Sequence, residues 1–137
     1  MLTYQEALDY LYSFVDYSAT RLVKYSTQTF DLSRMTALLD RLGHPERRFQ
    51  SLHVAGTKGK GSVAAMCASA LTAAGYRTGF YTSPHLQDFC ERVQVNGRPI
   101  DPADLAAIVE RLRELAPQVP GITTFELTTA LAFEYFA

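Results

Sequence analysis

A chain of 137 residues that is 47% hydrophobic and 20% charged has the make-up of one globular domain with a core and does not indicate disorder. Its 13 basic and 14 acidic residues are scattered, so the basic patch of a nucleic-acid binder is missing and no nucleic-acid partner is expected. No apolar run approaches the ~18 residues of a spanning helix, Met1–Glu6 has no leader pattern, and Cys67 and Cys90 are far apart; a reduced, cytoplasmic protein away from membranes is expected.

In chain order, Thr3-x-x-Glu6 is a capping box, and Tyr4, Ala7, Leu8, Leu11, Phe14 and Val15 recur at helical spacing, which predicts a packing helix over residues 4–16. Residues 18–31 have weak periodicity and read as a loop long enough to be functional. Met35, Leu38, Leu39 and Leu42 stripe a second helix, which Gly43 at the C′ position and Pro45 bring to an end. His44, in that cap, is expected to be solvated or bonded to a carbonyl rather than to serve as a ligand.

Leu52-His53-Val54-Ala55 then suits a short buried strand and residues 62–74 a helix, so Gly56-Thr57-Lys58-Gly59-Lys60-Gly61-Ser62 falls at a strand-to-helix turn. Glycines there let backbone N–H groups approach an anion, the helix N-terminus adds unpaired donors, and Lys60 brings a charge for the outer phosphates. A nucleoside triphosphate is the expected ligand. The strict phosphate-loop pattern is not met, because Val54 stands at its first glycine position and Gly61 follows Lys60 in place of a hydroxyl. The magnesium-binding hydroxyl must then come from Ser62 or from another loop. A glycine-rich turn with two solvated lysines is the competing reading, and the clustering of glycines and lysines at this junction argues against it.

Past Gly75, residues 77–82 read as a second strand, so the fold class is α/β: a βαβ unit within a doubly wound, mostly parallel sheet with helices on both faces. Ser83-Pro84-His85 follows at the carboxyl end of that strand, where open α/β sheets place ligands, and this puts Ser83 near the phosphates. Val93–Ile100 is predicted to be a hairpin around an Asn96-Gly97 type I′ turn, with Pro99 on an edge, as an excursion from the parallel sheet. Asp101 is expected to cap a helix that has Pro102 at its first position and Leu105, Ile108, Val109, Leu112 and Leu115 on one face, ended before Pro117. Residues 123–137 are apolar nearly all round, which marks a buried helix, and Thr123-x-x-Glu126 opens it with another capping box. With so few parallel strands and no terminal signal, the chain is expected to be an N-terminal part of a larger domain.

Taken together, Gly56–Ser62, Tyr81-Thr82-Ser83-Pro84-His85-Leu86, Glu91-Arg92-Val93 and Thr124-Phe125-Glu126-Leu127-Thr128 resemble folylpolyglutamate synthase/dihydrofolate synthase, of the Mur ligase superfamily, over essentially the whole chain. Mur ligases proper are similar too, but they carry a substrate domain before the loop, where this chain has only residues 1–55. The resemblance implies a P-loop NTPase-like fold in which residues 1–137 are the N-terminal part of the ATP-binding central domain. It also implies an ATP-dependent ligase that is monomeric at full length: ATP phosphorylates the carboxylate of dihydropteroate or a folate, and the amine of L-glutamate attacks the acyl phosphate.

Residue by residue, the resemblance makes Gly56, Thr57, Lys58, Gly59, Lys60, Gly61 and Ser62 the ATP-phosphate loop, with Lys60 catalytic in following the transferred group. Relatives carry Lys or Asn at the place of Lys58, so its charge is dispensable. Ser83 and Glu126 become Mg2+ ligands, Ser83 supplying the hydroxyl that Gly61 lacks. Phe125 and His85 border the substrate site. Each has a plainer alternative: a turn-former at Ser83, a helix cap at Glu126, a core ring at Phe125 and a turn histidine at His85. The remaining metal ligand, a modified lysine, the rest of the sheet and a C-terminal domain are expected after Ala137. Two other functions compete: a P-loop kinase or nucleotide hydrolase, which would share the phosphate cradle but not the Ser83 and Glu126 stretches, and a nucleotide-binding module without catalysis.

Overall fold

The capping box at Thr3 is present in the computed structural model, which describes residues 1–14 and 31–137. Thr3 Oγ1 accepts from the Glu6 N–H at 3.3 Å and the Glu6 carboxylate accepts from the Thr3 N–H at 2.7 Å, starting α1 (Tyr4–Tyr12). This helix stops short of residue 16; Val15 and the loop read over 18–31, Asp31 excepted, lie outside the described residues.

Residues 1–49 and 103–135 form one unit. It is helical, built from α1, α2 (Ser33–Leu42), most of α4 (Pro102–Leu115) and α5 (Thr124–Phe136); α3 belongs to the other unit. The stripes read from the sequence face inward: Leu11, Leu38, Leu42, Leu105, Leu112, Leu127 and Leu131 are all essentially inaccessible. Each such leucine stabilises the fold by about 1.5–3 kcal/mol. Gly43, at φ 78°, ends α2 in a Schellman motif, with the Gly43 N–H on the Asp40 carbonyl (3.2 Å) and the His44 N–H on that of Leu39 (2.9 Å). His44 departs from expectation. Its ring lies between two carboxylates, with Nδ1 3.1 Å from Glu46 Oε1 and Nε2 3.4 Å from Asp40 Oδ1, because its left-handed backbone turns the side chain back toward α2. Thr124 Oγ1 reaches the carbonyl of Leu11 (3.0 Å), in the last turn of α1 where helix carbonyls lack partners, and that of Phe14 (3.1 Å) just beyond it.

The second unit comprises residues 50–102 with Phe136. It holds α3 (Lys60–Ala73) and a three-stranded antiparallel sheet, β1 (Gly79–Tyr81), β2 (Val93–Val95) and β3 (Arg98–Pro99), in the order β1-β2-β3. The hairpin forms as predicted. Asn96 (φ 51°) and Gly97 (φ 75°) take the two positive φ values of a type I′ turn, and Pro99 sits on the edge strand. Asn96 also ties the turn to β1, its side-chain oxygen accepting from the Thr78 N–H at 2.9 Å.

The parallel βαβ unit is not formed among the described residues. β1 pairs antiparallel with β2, so the hairpin is the sheet itself rather than an excursion from one, and residues 51–56 have no strand partner. A strand exists only where a neighbouring ladder takes up its N–H and C=O groups. Leu52 is 66% exposed, α3 buries no residue, and Val63 and Met66 are open on it. Apolar sequence signals a surface to be covered, and none of the described residues covers this one.

Phe136 packs on the sheet at Gly79, where a Cβ would stand 2.7 Å from its ring. Gly79→Ala is therefore expected to cost about 1–3 kcal/mol by overpacking, although alanine is otherwise preferred to glycine in a strand. Urea unfolding checks this: measured in a Phe136→Ala background, the Gly79→Ala loss should mostly vanish, whereas an undiminished loss would place the cost in the backbone. Among the described residues no helix is long and apolar enough to cross a membrane.

Candidate functional site

Gly56 (φ 152°) and Gly59 (φ 76°) hold backbone conformations that side chains rarely adopt, and between them they turn the chain into the first turn of α3. Gly59 is the N-cap and offers no side-chain acceptor, in contrast to α1 and α5, whose N-termini are both closed by a Thr/Glu capping box. The first-turn N–H groups of α3, on Lys60, Gly61 and Ser62, are thus left for an anion, with the positive end of the helix dipole behind them. Lys60 Nζ donates to the Gly56 carbonyl at 2.6 Å, so its ammonium is folded back over the loop. Thr57, Lys58 and Ser62 are exposed.

In the same unit, Ser83 is exposed and His85 half-buried, in a loop that starts where β1 ends. The Thr82 N–H donates to the Arg92 carbonyl at 3.0 Å, closing the base of this loop. Inside it, the Glu91 carboxylate accepts the N–H groups of Leu86 (2.9 Å), Gln87 (3.1 Å) and Asp88 (3.0 Å). Arg92 Nε donates to His85 Nδ1 at 2.8 Å, and the guanidinium lies 4.9 Å from the centre of the buried Phe89 ring. Sequence reasoning quoted Glu91 and Arg92 only as part of a motif. The local signal was Asp88-x-x-Glu91, the same box pattern as at Thr3 and Thr123, and the structure forms it as the start of a short 3-10 helix.

The N–H bonds from Leu86 and Asp88 hold the Glu91 carboxyl below its usual range, against a smaller desolvation effect; Gln87 adds to the lowering. A folded-state value below the unfolded one means a stabilising contribution that is present above the usual carboxylate range. It is lost as pH falls through the lowered folded value. Hydrogen-exchange protection of Leu86, Gln87 and Asp88 is expected to persist through the ordinary glutamate titration and to disappear only below it. Loss of protection at the ordinary carboxylate pH would contradict this.

Phe125 and Glu126 belong to the helical unit, at the start of α5. Phe125 is 61% exposed and so is not the core ring that was the plainer alternative. Glu126 is buried and occupied: Oε2 accepts from the Thr123 N–H (2.9 Å) and hydroxyl (2.8 Å), and Arg34 Nε lies 3.1 Å from Oε1. The capping box is thus complete, and an ion pair is added that no local pattern announces, since its partners stand 92 residues apart. Among the described residues no group of three or more His, Cys, Asp and Glu could hold a metal. Magnesium does not require one, since it binds through one or two carboxylates together with waters and phosphates. The Ser83 hydroxyl and the Glu126 carboxylate are hard oxygen donors that fit that ion in kind, with Arg34 a competitor for Glu126. Two clefts of the helical unit, of ≈360 Å³ beside Phe14 and Ile122 and ≈290 Å³ beside His44 and Glu46, include none of the predicted site residues.

No protein-family model matches the chain. Dihydrofolate synthase/folylpolyglutamate synthase of Bacillus subtilis is 45% identical to it over 114 residues, covering 77% of this chain and 26% of that protein. Folylpolyglutamate synthase of Lacticaseibacillus casei is 37% identical over 142 residues, covering 98% and 31%. The crystal structure of the Thermotoga maritima folylpolyglutamate synthase matches with a TM-score of 0.82 at 37% identity, covering 97% of this chain and 30% of that one. A folylpolyglutamate synthase solved with AMPPCP and folate matches with a TM-score of 0.84 at 34% identity, covering 98% and 32%. The chain spans about a quarter to a third of the length of these relatives. Sequence and backbone agree along nearly all of its residues, and residues 1–137 belong to the folylpolyglutamate synthase/dihydrofolate synthase family.

Proposed function

We propose that residues 1–137 are the N-terminal part of the ATP-binding domain of a ligase that joins L-glutamate to dihydropteroate or a folate. The observation that carries this is the uncapped N-terminus of α3 behind the Gly56–Ser62 loop, in a chain similar to a synthase solved with AMPPCP and folate. An amine cannot displace oxide from a carboxylate, so the acid must first be phosphorylated. Phosphoryl transfer then depends mainly on positioning and charge neutralisation. The loop N–H groups hold the phosphates, and Lys60, tethered at Gly56, moves its charge with the transferred group. Ser83 in the second unit and Glu126 in the helical unit are each proposed as an oxygen ligand for Mg2+, which would supply charge neutralisation for the outer phosphates. Phe125 offers an exposed ring for the pteridine, and His85 borders the acid substrate.

In the full-length protein, residues 52–55 gain parallel neighbours and the open face of α3 is covered, which completes a doubly wound sheet. That protein works in the cytoplasm as a monomer on small-molecule substrates. The full-length ligase is expected to form ADP and phosphate only when a pteroate or folate and glutamate are both present. Equal ATP turnover without either substrate would assign the loop to a P-loop hydrolase instead.

A further inference from the structure

The loop over residues 83–92 carries two of the proposed site residues, Ser83 and His85, yet it contains no β-ladder and only one turn of 3-10 helix. Besides the Asp88 cap on the Cys90 N–H (2.8 Å), two of its side chains, Glu91 and Arg92, hold it in shape. Three consecutive N–H groups, of Leu86, Gln87 and Asp88, converge on the one carboxylate of Glu91. A charged acceptor makes hydrogen bonds about twice as strong as a neutral one, and a carboxylate presents roughly four lone-pair positions, enough for all three. The buried Phe89 and Cys90 anchor the floor of the loop, and the Thr82 N–H on the Arg92 carbonyl (3.0 Å) clamps its base directly before Ser83.

Arg92 adds a constraint of a different kind. A guanidinium can only donate, so its bond to His85 Nδ1 at 2.8 Å requires that nitrogen to be bare. The neutral ring then carries its proton on Nε2. Phe89 supports both partners, its centroid 5.9 Å from that of the His85 ring and 4.9 Å from the guanidinium carbon.

We propose that Glu91 and Arg92 are positioning residues for Ser83 and His85: the Glu91 carboxylate templates the loop backbone, and the Arg92 guanidinium presents His85 to the acid substrate as an Nε2–H donor. This rests on the ligase reading for its consequence but not for its geometry. A hydrogen-bond acceptor on the pteroate or folate, a carbonyl or carboxylate oxygen, is the chemistry such a donor selects. The loop is held in shape before substrate arrives, so little ordering cost falls on binding.

The test uses the full-length ligase with 15N-labelled histidine, alongside Glu91→Gln and Arg92→Leu. Wild type should show His85 as the Nε2–H tautomer, and Arg92→Leu should show a mixture of the two; an Nδ1–H ring in wild type overturns the assignment. In Glu91→Gln, amide exchange at Leu86, Gln87 and Asp88 should quicken at least about tenfold. Both variants should raise KM for the pteroate or folate substrate by about tenfold while KM for ATP stays within about twofold. Equal increases in both KM values would reduce the two residues to general stabilisers. If Glu91→Gln does not fold, the tautomer and KM split in Arg92→Leu decide the matter. A wild-type protein with no folate-dependent turnover refutes the ligase reading, and the tautomer and exchange results still judge the positioning.

Discussion

Lys60→Ala in the full-length ligase is expected to lower kcat by about 10²–10³-fold, whereas Lys58→Asn changes kcat/KM by about twofold or less. The two lysines stand two positions apart in a single exposed loop, so composition does not separate them. Structure does. Lys60 opens α3 and its ammonium lies 2.6 Å from the Gly56 carbonyl, which holds the charge over the glycine-rich loop. That bond is to a neutral carbonyl, so a phosphate oxygen, being charged, outcompetes it without a buried ion pair having to break. Among the described residues Lys58 has no such tether to the loop. Single-turnover rates of ADP formation provide the measurement; comparable losses in the two variants would remove Lys60 from its role.

Glu126→Gln is expected to act on stability as well as on metal. The capping interaction survives, since a glutamine oxygen can still accept from the Thr123 N–H, but the charge opposite Arg34 is lost. Both side chains of that pair are largely shielded, with 20% and 11% of their surface exposed, so losing it should cost about 1–2 kcal/mol, more than the usual surface pair. In a domain of this size that corresponds to a drop in Tm of roughly 4–8 °C without any metal present. Glu126→Ala, which also removes the cap, should cost about 1 kcal/mol more. The double variant Arg34→Met/Glu126→Gln should recover most of the Tm lost by the single change, because it leaves no unpaired guanidinium. A role in holding Mg2+ is read separately: the magnesium concentration for half-maximal rate should rise about tenfold in Glu126→Gln and in the double variant alike. An unchanged magnesium requirement would leave Glu126 a cap and an ion-pair partner.

Much of this protein is local, and local structure is legible in residue order. Capping boxes at Thr3 and Thr123, the Gly43 helix end and the Asn96-Gly97 turn each depend on atoms within a few residues of one another, and each forms as read. The turn into α3 was likewise visible, because Gly56 and Gly59 supply the positive φ values that it needs. His44 was misjudged for the opposite reason: its partner Asp40 is nearby in sequence, but the left-handed turn that aims the ring at it is not written in the residue types.

The sequence by itself determined the helices, the hairpin and the family, since propensity, capping and motif spacing act over short stretches of chain. Tertiary structure alone decided what could not be additive over neighbours. It paired β1 antiparallel with β2, because strand direction is set by whichever ladder is available and not by apolar content. It brought Arg34 to Glu126 across 92 residues and set Phe136 against Gly79. Each of these depends on where a side chain ends in space, which is fixed only once the apolar stripes have chosen their partners and the backbone has closed around them.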